Sequence, residues 1–445
     1  MMAEETEKPR SKLYAFESIL RKLPEISVPK RHVSFKEKFF WTILALVLFF
    51  VMAQIPLYGI PKGFGVSELL GQLRFVFASQ TGTLMELGIG PIVTAGIIMQ
   101  LLVGSKIINL DLSDSQDRAV FTSSQKLLAI LMAIFEGTML VLAGRYGVKL
   151  TSLAGIAIVA QLTLGGIIVI YLDEIVSKYG FGSGVSLFIA GGVAMTVFWQ
   201  TFNLRTGAIP VFIRDVMAGE NPLSAFFAPG PVNMMGVVGV ILIFLVVVYL
   251  ESVRVEVPVT LAKYGGMRGR YPIKFLYTSN IPVILAMTIF ANIRLFSSLV
   301  GAQWLSNFVH PPNGVWDVVA NPLRILIYGI LLISLSVAFG LMWIYMTGMS
   351  PKDIAQQLDE SGMTIPGYRK DPKVLEAVIG KYLIPATILG SLAVALISLG
   401  ADMLGTPGSG TGILLTVGII YSLYEQMARE QLAEMFPAVR RLFGE

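Results

Sequence analysis

The alternation of apolar and polar positions divides the chain into long apolar runs joined by short polar connections. Runs near 39–57, 89–104, 124–143, 151–172, 184–202, 232–250, 273–293, 323–346, 381–400 and 411–428 predict ten membrane-spanning helices, since about 20 apolar residues cross a hydrocarbon core. One run starts badly. "ELGIGPIVTAGIIMQLLVGS" (Glu86 to Ser105) opens on Gly88, Gly90 and Pro91, just downstream of "SELLGQLRFVFAS" (Ser67 to Ser79), which is amphipathic and too short to span. Two later runs carry similar punctuation, Gly182-Ser-Gly184-Val185 and Gly410-Thr-Gly412-Ile413. Glycine admits backbone conformations that other residues resist, and Pro91 suits a first helical turn. Irregular backbone at membrane depth is tolerated only against protein or a watery cavity, so these starts predict cavities. Interruptions in both halves also occur in repeat-built transport folds, although no strong sequence repeat is visible.

After the breaks, Ile89 and Val93, and likewise Val185 and Ile189, fall four apart on one helical face. Such a face serves ordinary helix packing. It equally serves a dry constriction between two wet cavities, which gates by dewetting.

Composition agrees with the pattern. The chain has 445 residues, 54% hydrophobic and only 14% charged, with a mean hydropathy of +0.71, against about 25% charged in soluble domains. This is a polytopic integral membrane protein. The arm 1–38 is charged and lacks the short apolar core of a cleavable signal. Most of the 34 Lys and Arg fall on one side if that arm is inside, which places both termini in the cytoplasm. The resulting map has spans one to five within 39–202, an external connection 203–231, spans six to ten within 232–428, and a tail 429–445. Cytoplasmic loops occupy 251–272 and 347–380. "AIPVFIRDVMAG" (Ala208 to Gly219) reads as a short interfacial helix in the external connection.

Cysteine is absent, which excludes disulfides and thiolate chemistry. His32 and His310 lie outside the spans, so no histidine metal centre or proton relay is expected in the bilayer. "GSGTGILL" (Gly408 to Leu415) lacks the Lys-Ser/Thr of a phosphate-binding loop, and "YGFGSG" (Tyr179 to Gly184) has no βαβ context. No catalytic constellation, metal site or cofactor is expected.

Glu136 is the main ionisable residue inside a span, where such groups are costly and often functional. Charge coupling is one reading and a paired or protonated structural carboxylate the other. Asp173 and Glu174 fall at a helix end and read as interfacial. Thr94, Gln125, Thr278, Ser279 and Asn280 are uncharged polar residues in or near spans two, three and seven. They read either as helix glue or as a deliberately weak seam. Arg254, Lys263, Arg268, Arg270, Arg369 and Lys370 sit in the two long Gly- and Pro-punctuated loops. Beyond positive-inside bias, such charges suit an anionic partner such as RNA.

"LGIGPIVTAGIIMQLLVGS", "YLDEIVSKYGFGSGVSLFIA", "RYPIKFLYTSNIPVIL" and "GSGTGILLTVGIIYSLYEQ" resemble the SecY family, the pore-forming subunits of Sec protein-translocation channels. The style is archaeal, similar to the eukaryotic translocon α subunit, and the resemblance runs from about Lys36 to the end. It implies an all-α fold of ten transmembrane helices in two pseudo-symmetric halves around an hourglass pore, with a re-entrant plug at about 62–82. It implies a pore ring of Ile89, Val93, Val185, Ile189, Ile284 and Leu415. A lateral gate between spans 2–3 and 7–8 would carry the polar cluster Thr94, Gln125 and Asn280. The basic loops would dock on the ribosome, with Arg369 in "IPGYRKD" at the contact. The implied activity is a passive, ATP-free channel that carries signal-bearing polypeptides across a cell membrane and releases hydrophobic segments into lipid. A SecE-type subunit and a SecG- or β-type subunit are the implied partners. A small-solute transporter and a pore-less insertase scaffold are the competing classes. The first is poorly served by one membrane glutamate, and the second needs no aliphatic ring.

Overall fold

The computed structural model describes residues 24–31, 33–61, 80–105, 107–110, 114–228, 233–261, 267–278, 281–361, 363–364 and 372–435, together with Tyr14 and Ala78. Ten of its helices overlap the ten expected spans. Among the described residues, six are long and apolar enough to cross a membrane, and the helices starting at Gly90 and Ile281 are shorter apolar segments. The chain forms two compact units, one of residues 1–67 and 79–185, the other of 68–78 and 186–445.

The first unit contains α1 (Phe35–Met52), α2 (Gly90–Gly104), α3 (Ser115–Leu142) and α4 (Leu153–Tyr179). Polar caps start three of them. Ser34 accepts from Glu37 N–H, Asp114 from Asp117 N–H and Ser152 from Gly155 N–H, satisfying N–H groups that a helix cannot pair internally. α2 packs on α3, α3 on α4, and α1 on α4. Ala95, Ala129 and Ile170 form a buried cluster, and small residues at such seams let membrane helices approach closely.

α5 (Gly184–Phe202) begins at the unit boundary, and its residues from Ser186 belong to the second unit. That unit continues with α6 (Ala208–Met217), α7 (Pro222–Phe226), α8 (Met234–Ser252), β1 (Arg254–Leu261), β2 (Met267–Lys274) and α9 (Ile281–Val300). Then follow α10 (Gln303–Phe308), α11 (Val315–Ala320), α12 (Pro322–Met346), α13 (Pro351–Glu360), β3 (Met363–Thr364), α14 (Pro372–Met403) and α15 (Gly410–Met435). α14 packs against α12 and α15, while α12 also packs on α9 and α15 on α8.

The strands correct the expectation in two ways. The spans are helical, but the loop after α8 is an antiparallel hairpin, Arg254 opposite Lys274 and Leu261 opposite Met267, with β3 added at Thr260 and Leu261. Val257, Val259 and Ile273 point inward, the period-two burial of a half-covered sheet. The seventh span therefore starts at Ile281, later than 273. Ile273 is apolar because it fills the hairpin's core, not because it meets lipid.

That core is shared. Val257 and Ile273 of the hairpin cluster with Ile354, Ala355 and Leu358 of α13 and with Leu375, Val378, Ile379 and Leu383 of α14. A capping box at Ser350 and Asp353 starts α13. The two loops that read as separate basic excursions are one folded head.

Candidate constriction, gate and loop head

Two of the three glycine breaks share a backbone signature. Gly88 and Gly182 have positive φ, at 54° and 69°, a region open to glycine at little steric cost. At the third break the positive φ falls earlier than the expected Gly410 and Gly412, on Gly408 at 80° and Ser409 at 63°. Pro91 then sits in the first turn of α2. Of the expected constriction residues, Ile89 caps α2 and is fully buried, and the Val93 N–H donates to the Ile89 carbonyl at 3.1 Å. Val185, at the start of α5, is half-buried. These three belong to the first unit. Ile189, Ile284 and Leu415 belong to the second, where Ile189 and Leu415 are buried and Ile284 is half-buried.

The expected plug, 62–82, lies largely outside the described residues. Of its described residues, Ala78 packs in the second unit against α5, where a Cβ on Gly192 would lie 3.4 Å from the Ala78 methyl.

Two of the three expected gate residues lie on the α2–α3 seam, each against a different residue of the facing helix. Thr94 donates its hydroxyl to the Gly90 carbonyl at 2.9 Å and to Glu136 at 3.2 Å. Gln125 lies against Gly96, its Nε2 3.1 Å from where a Cβ would stand. Glu136 thus has a polar partner on the neighbouring helix, which its position in the sequence did not reveal. Asn280 and Ser279 lie outside the described residues, and Thr278 is buried.

Two largely buried ion pairs of the first unit were not anticipated. Glu86 and Arg145 form one, with side chains 0% and 1% exposed. The Gly82 N–H also donates to Glu86, at 2.8 Å. The pair ties the turn before α2 to the α3–α4 connection. Both residues flank apolar runs, where an isolated charge would be expensive, and that cost was the available signal. Lys126 on α3 and Glu174 on α4 form the second, at 2.6 Å. The Lys126 ammonium also donates to the Pro24 carbonyl at 2.6 Å, and Ile26 N–H donates to Glu174 at 3.2 Å. Glu174 therefore also clamps the N-terminal arm.

On the loop head, Arg254 donates to Glu425 of α15 at 3.2 Å, and Lys274 and Arg429 stand 3.7 and 3.6 Å from the same carboxylate. Arg270 is exposed and paired with Glu256. Arg268 pairs opposite Thr260 through the backbone, while Lys263, Arg369 and Lys370 lie outside the described residues. Burial raises the Tyr271 hydroxyl above its ordinary value of 10.0, and burial with the nearby Tyr271 and Asp353 does the same to Tyr277. Both are neutral supports of the head.

Comparison with known proteins gives this arrangement its context. Residues 83–424 match the SecY family, and residues 47–82 match the plug domain of Sec61p. Protein translocase subunit SecY of Pyrococcus horikoshii is 46% identical over 98% of this chain and 99% of its own. The same subunit of Methanocaldococcus jannaschii is 41% identical over 96% and 98%. A solved protein-conducting channel aligns with a TM-score of 0.82 at 41% identity, covering 95% of this chain and 98% of that one. Sec61 in the canine ribosome–channel complex from the endoplasmic reticulum aligns at 0.79, also at 41% identity and over 95% and 98%. Similarity along nearly the whole length, with ten spans, glycine breaks and a plug segment, sets aside the solute-transporter reading. The chain belongs to the SecY family, as an archaeal-type, multi-pass and non-enzymatic subunit of a protein-conducting channel.

Proposed function

We propose that Ile89, Val93, Val185, Ile189, Ile284 and Leu415 form the channel's dry constriction, closed at rest by the segment around 62–82. The observation that carries this reading is the set of glycine-broken helix starts, two of them followed within one turn by expected ring residues. Irregular backbone of this kind belongs beside a cavity, and an aliphatic neck excludes water while yielding to any passing side chain.

The polar α2–α3 seam, with Thr94, Gln125 and Glu136, is one side of a lateral gate, and Asn280 contributes to the other. Polypeptide is driven by the elongating ribosome, which docks on the head built from the β1–β2 hairpin and α13. Arg254, Lys263, Arg268, Arg270, Arg369 and Lys370 of the two loops are the contacts to ribosomal phosphates, and Arg254 also holds the base of the hairpin through Glu425. A channel relative solved on a ribosome supports this, as does the yeast Ssh1 complex on its ribosome, 26% identical with a TM-score of 0.73. Both termini are cytoplasmic, and SecE-type and SecG- or β-type subunits complete the complex.

The test is reconstitution of the purified chain with those two subunits in vesicles, supplied with ribosomes carrying a signal-bearing nascent chain. Protease protection of the chain inside the vesicle is the expected result. Protection that persists without ribosomes or any other motor would overturn the ribosome-driven reading.

A further inference from the structure

Two carboxylates outside the constriction stand in matching places. Asp173 lies near the end of α4, and Asp402 is the penultimate residue of α14. Each precedes a glycine break, and each reaches across it. Asp173 Oδ1 accepts from the Val185 N–H at 2.9 Å and from the Ser183 hydroxyl at 3.3 Å. Asp402 Oδ1 accepts from the Gly410 N–H at 2.7 Å. Asp402 is 1% exposed, and its backbone carbonyl accepts from Gly314 and Gly405. So in each unit a carboxylate from one span grips the first residues of the next.

The approach is too close for any side chain at the gripped glycine. A Cβ on Gly184 would lie 2.6 Å from Asp173 Cα, and one on Gly410 would lie 2.3 Å from the Ser398 carbonyl oxygen. A second polar contact braces the later break, where the Ser398 and Thr411 hydroxyls meet at 2.5 Å.

The first N–H groups of a helix have no partner within it, and a carboxylate there also meets the favourable end of the helix dipole. Capping is the ordinary role of such a group. Here the acceptor sits on a different span, so the bond also fixes the following helix along its axis and about it. A one-residue slip would translate side chains by about 1.5 Å and swing them by about 100°. Val185 carries the bond itself, and Leu415 lies within two turns of Gly410.

We propose that Asp173 and Asp402 are positioning residues of the constriction, each clamping a broken helix start so that Val185 and Leu415 hold a fixed aliphatic surface. The proposal rests on the constriction reading above.

The test is ion conductance of the resting, fully assembled complex in planar bilayers. Asp173→Leu and Asp402→Leu remove the acceptor and should raise conductance severalfold above the resting wild-type level, as the neck wets. Asp173→Asn and Asp402→Asn keep an acceptor oxygen and should restore conductance toward the resting level, an outcome that general destabilisation would not produce. Ile189→Asn with Ile284→Asn, measured alongside, tests the constriction alone. If that ring variant leaks and the leucine variants stay sealed, the clamp is overturned and the constriction stands. Should none leak, the constriction fails and the clamp with it. Asparagine variants that leak as much as leucine variants would also overturn the clamp. Should a leucine chain fail to assemble, the Glu variant at the same position is read instead. It keeps the acceptor one methylene further out and should leak severalfold, so conductance at the resting level would count against the proposal.

Discussion

The hydroxyl of Thr94 on α2 donates to the carboxylate of Glu136 on α3 at 3.2 Å, inside the seam between the two helices. Glu136→Gln retains an acceptor for Thr94, whereas Glu136→Leu turns the seam apolar. If the seam is part of a lateral gate, the leucine variant shifts the hydrophobicity at which graded signal sequences engage, and glutamine shifts it much less. Translocation of a series of reporters with lengthening leucine signals measures this. Superimposable thresholds for all three proteins would reduce the pair to structural glue.

Lys126 and Glu174 offer a stability test. Removing one partner of a shielded pair strands the other charge, at a cost of about 3 kcal/mol, while replacing both with apolar residues is close to neutral. Lys126→Met and Glu174→Met should each lower the thermal midpoint of the purified complex, and the double variant should recover most of the loss. A double variant as unstable as the sum of the singles would show that the two residues act independently.

The loop head should fail as a unit. Ile354 is 3% exposed and packs in the cluster containing Val257 and Ile273 of the hairpin, so Ile354→Ala should cost the head about 2–5 kcal/mol. Hydrogen exchange would then rise in β1 and β2, although the substitution is in α13. In the same head, Arg270→Glu should weaken ribosome binding, and wild-type binding should fall as salt is added, because phosphate contacts are screened. Salt-independent binding would remove the phosphate reading.

Polar substitution of the constriction has a defined outcome. Ile189→Asn with Ile284→Asn supplies hydrogen bonds that aliphatic side chains cannot, so water and ions enter the neck. The resting complex should conduct ions and accept polypeptides with poor signals. Deleting 67–79 should produce a milder leak.

Acid should loosen the connection between α10 and α12. Burial alone would raise the Asp317 carboxyl, but the Asn313 N–H, the Asn321 amide and Arg324 outweigh it and hold the group below its ordinary 3.8. A carboxylate depressed in the folded state adds stability above its unfolded value, and that stability is lost as pH falls through the lower folded value. Trp316 is adjacent and donates its indole N–H to the Phe227 carbonyl at 2.7 Å. In a chain retaining Trp316 alone, its fluorescence should therefore change below pH 3.8, and Asp317→Asn should show the altered signal already at neutral pH.

Much of this protein was readable residue by residue. Apolar runs, their breaks and the aliphatics after the breaks depend on local composition, because entry into lipid is settled segment by segment. The glycine positions carried their own reason at Gly88 and Gly182, which take up positive φ, while at the third break the turn lies at Gly408 and Ser409, just before the expected glycines. The residues quoted for the family were enough to place the chain in it. Tertiary structure decided which polar groups meet. Glu86 finds Arg145, Lys126 finds Glu174, and Asp402 reaches Gly410 across a break. It also joined two loops far apart in the chain into one head around Ile273 and Ile354. Nothing local encodes those pairings, because a charge or an apolar strand residue states only that it needs a partner. Which partner it gets depends on how whole helices pack.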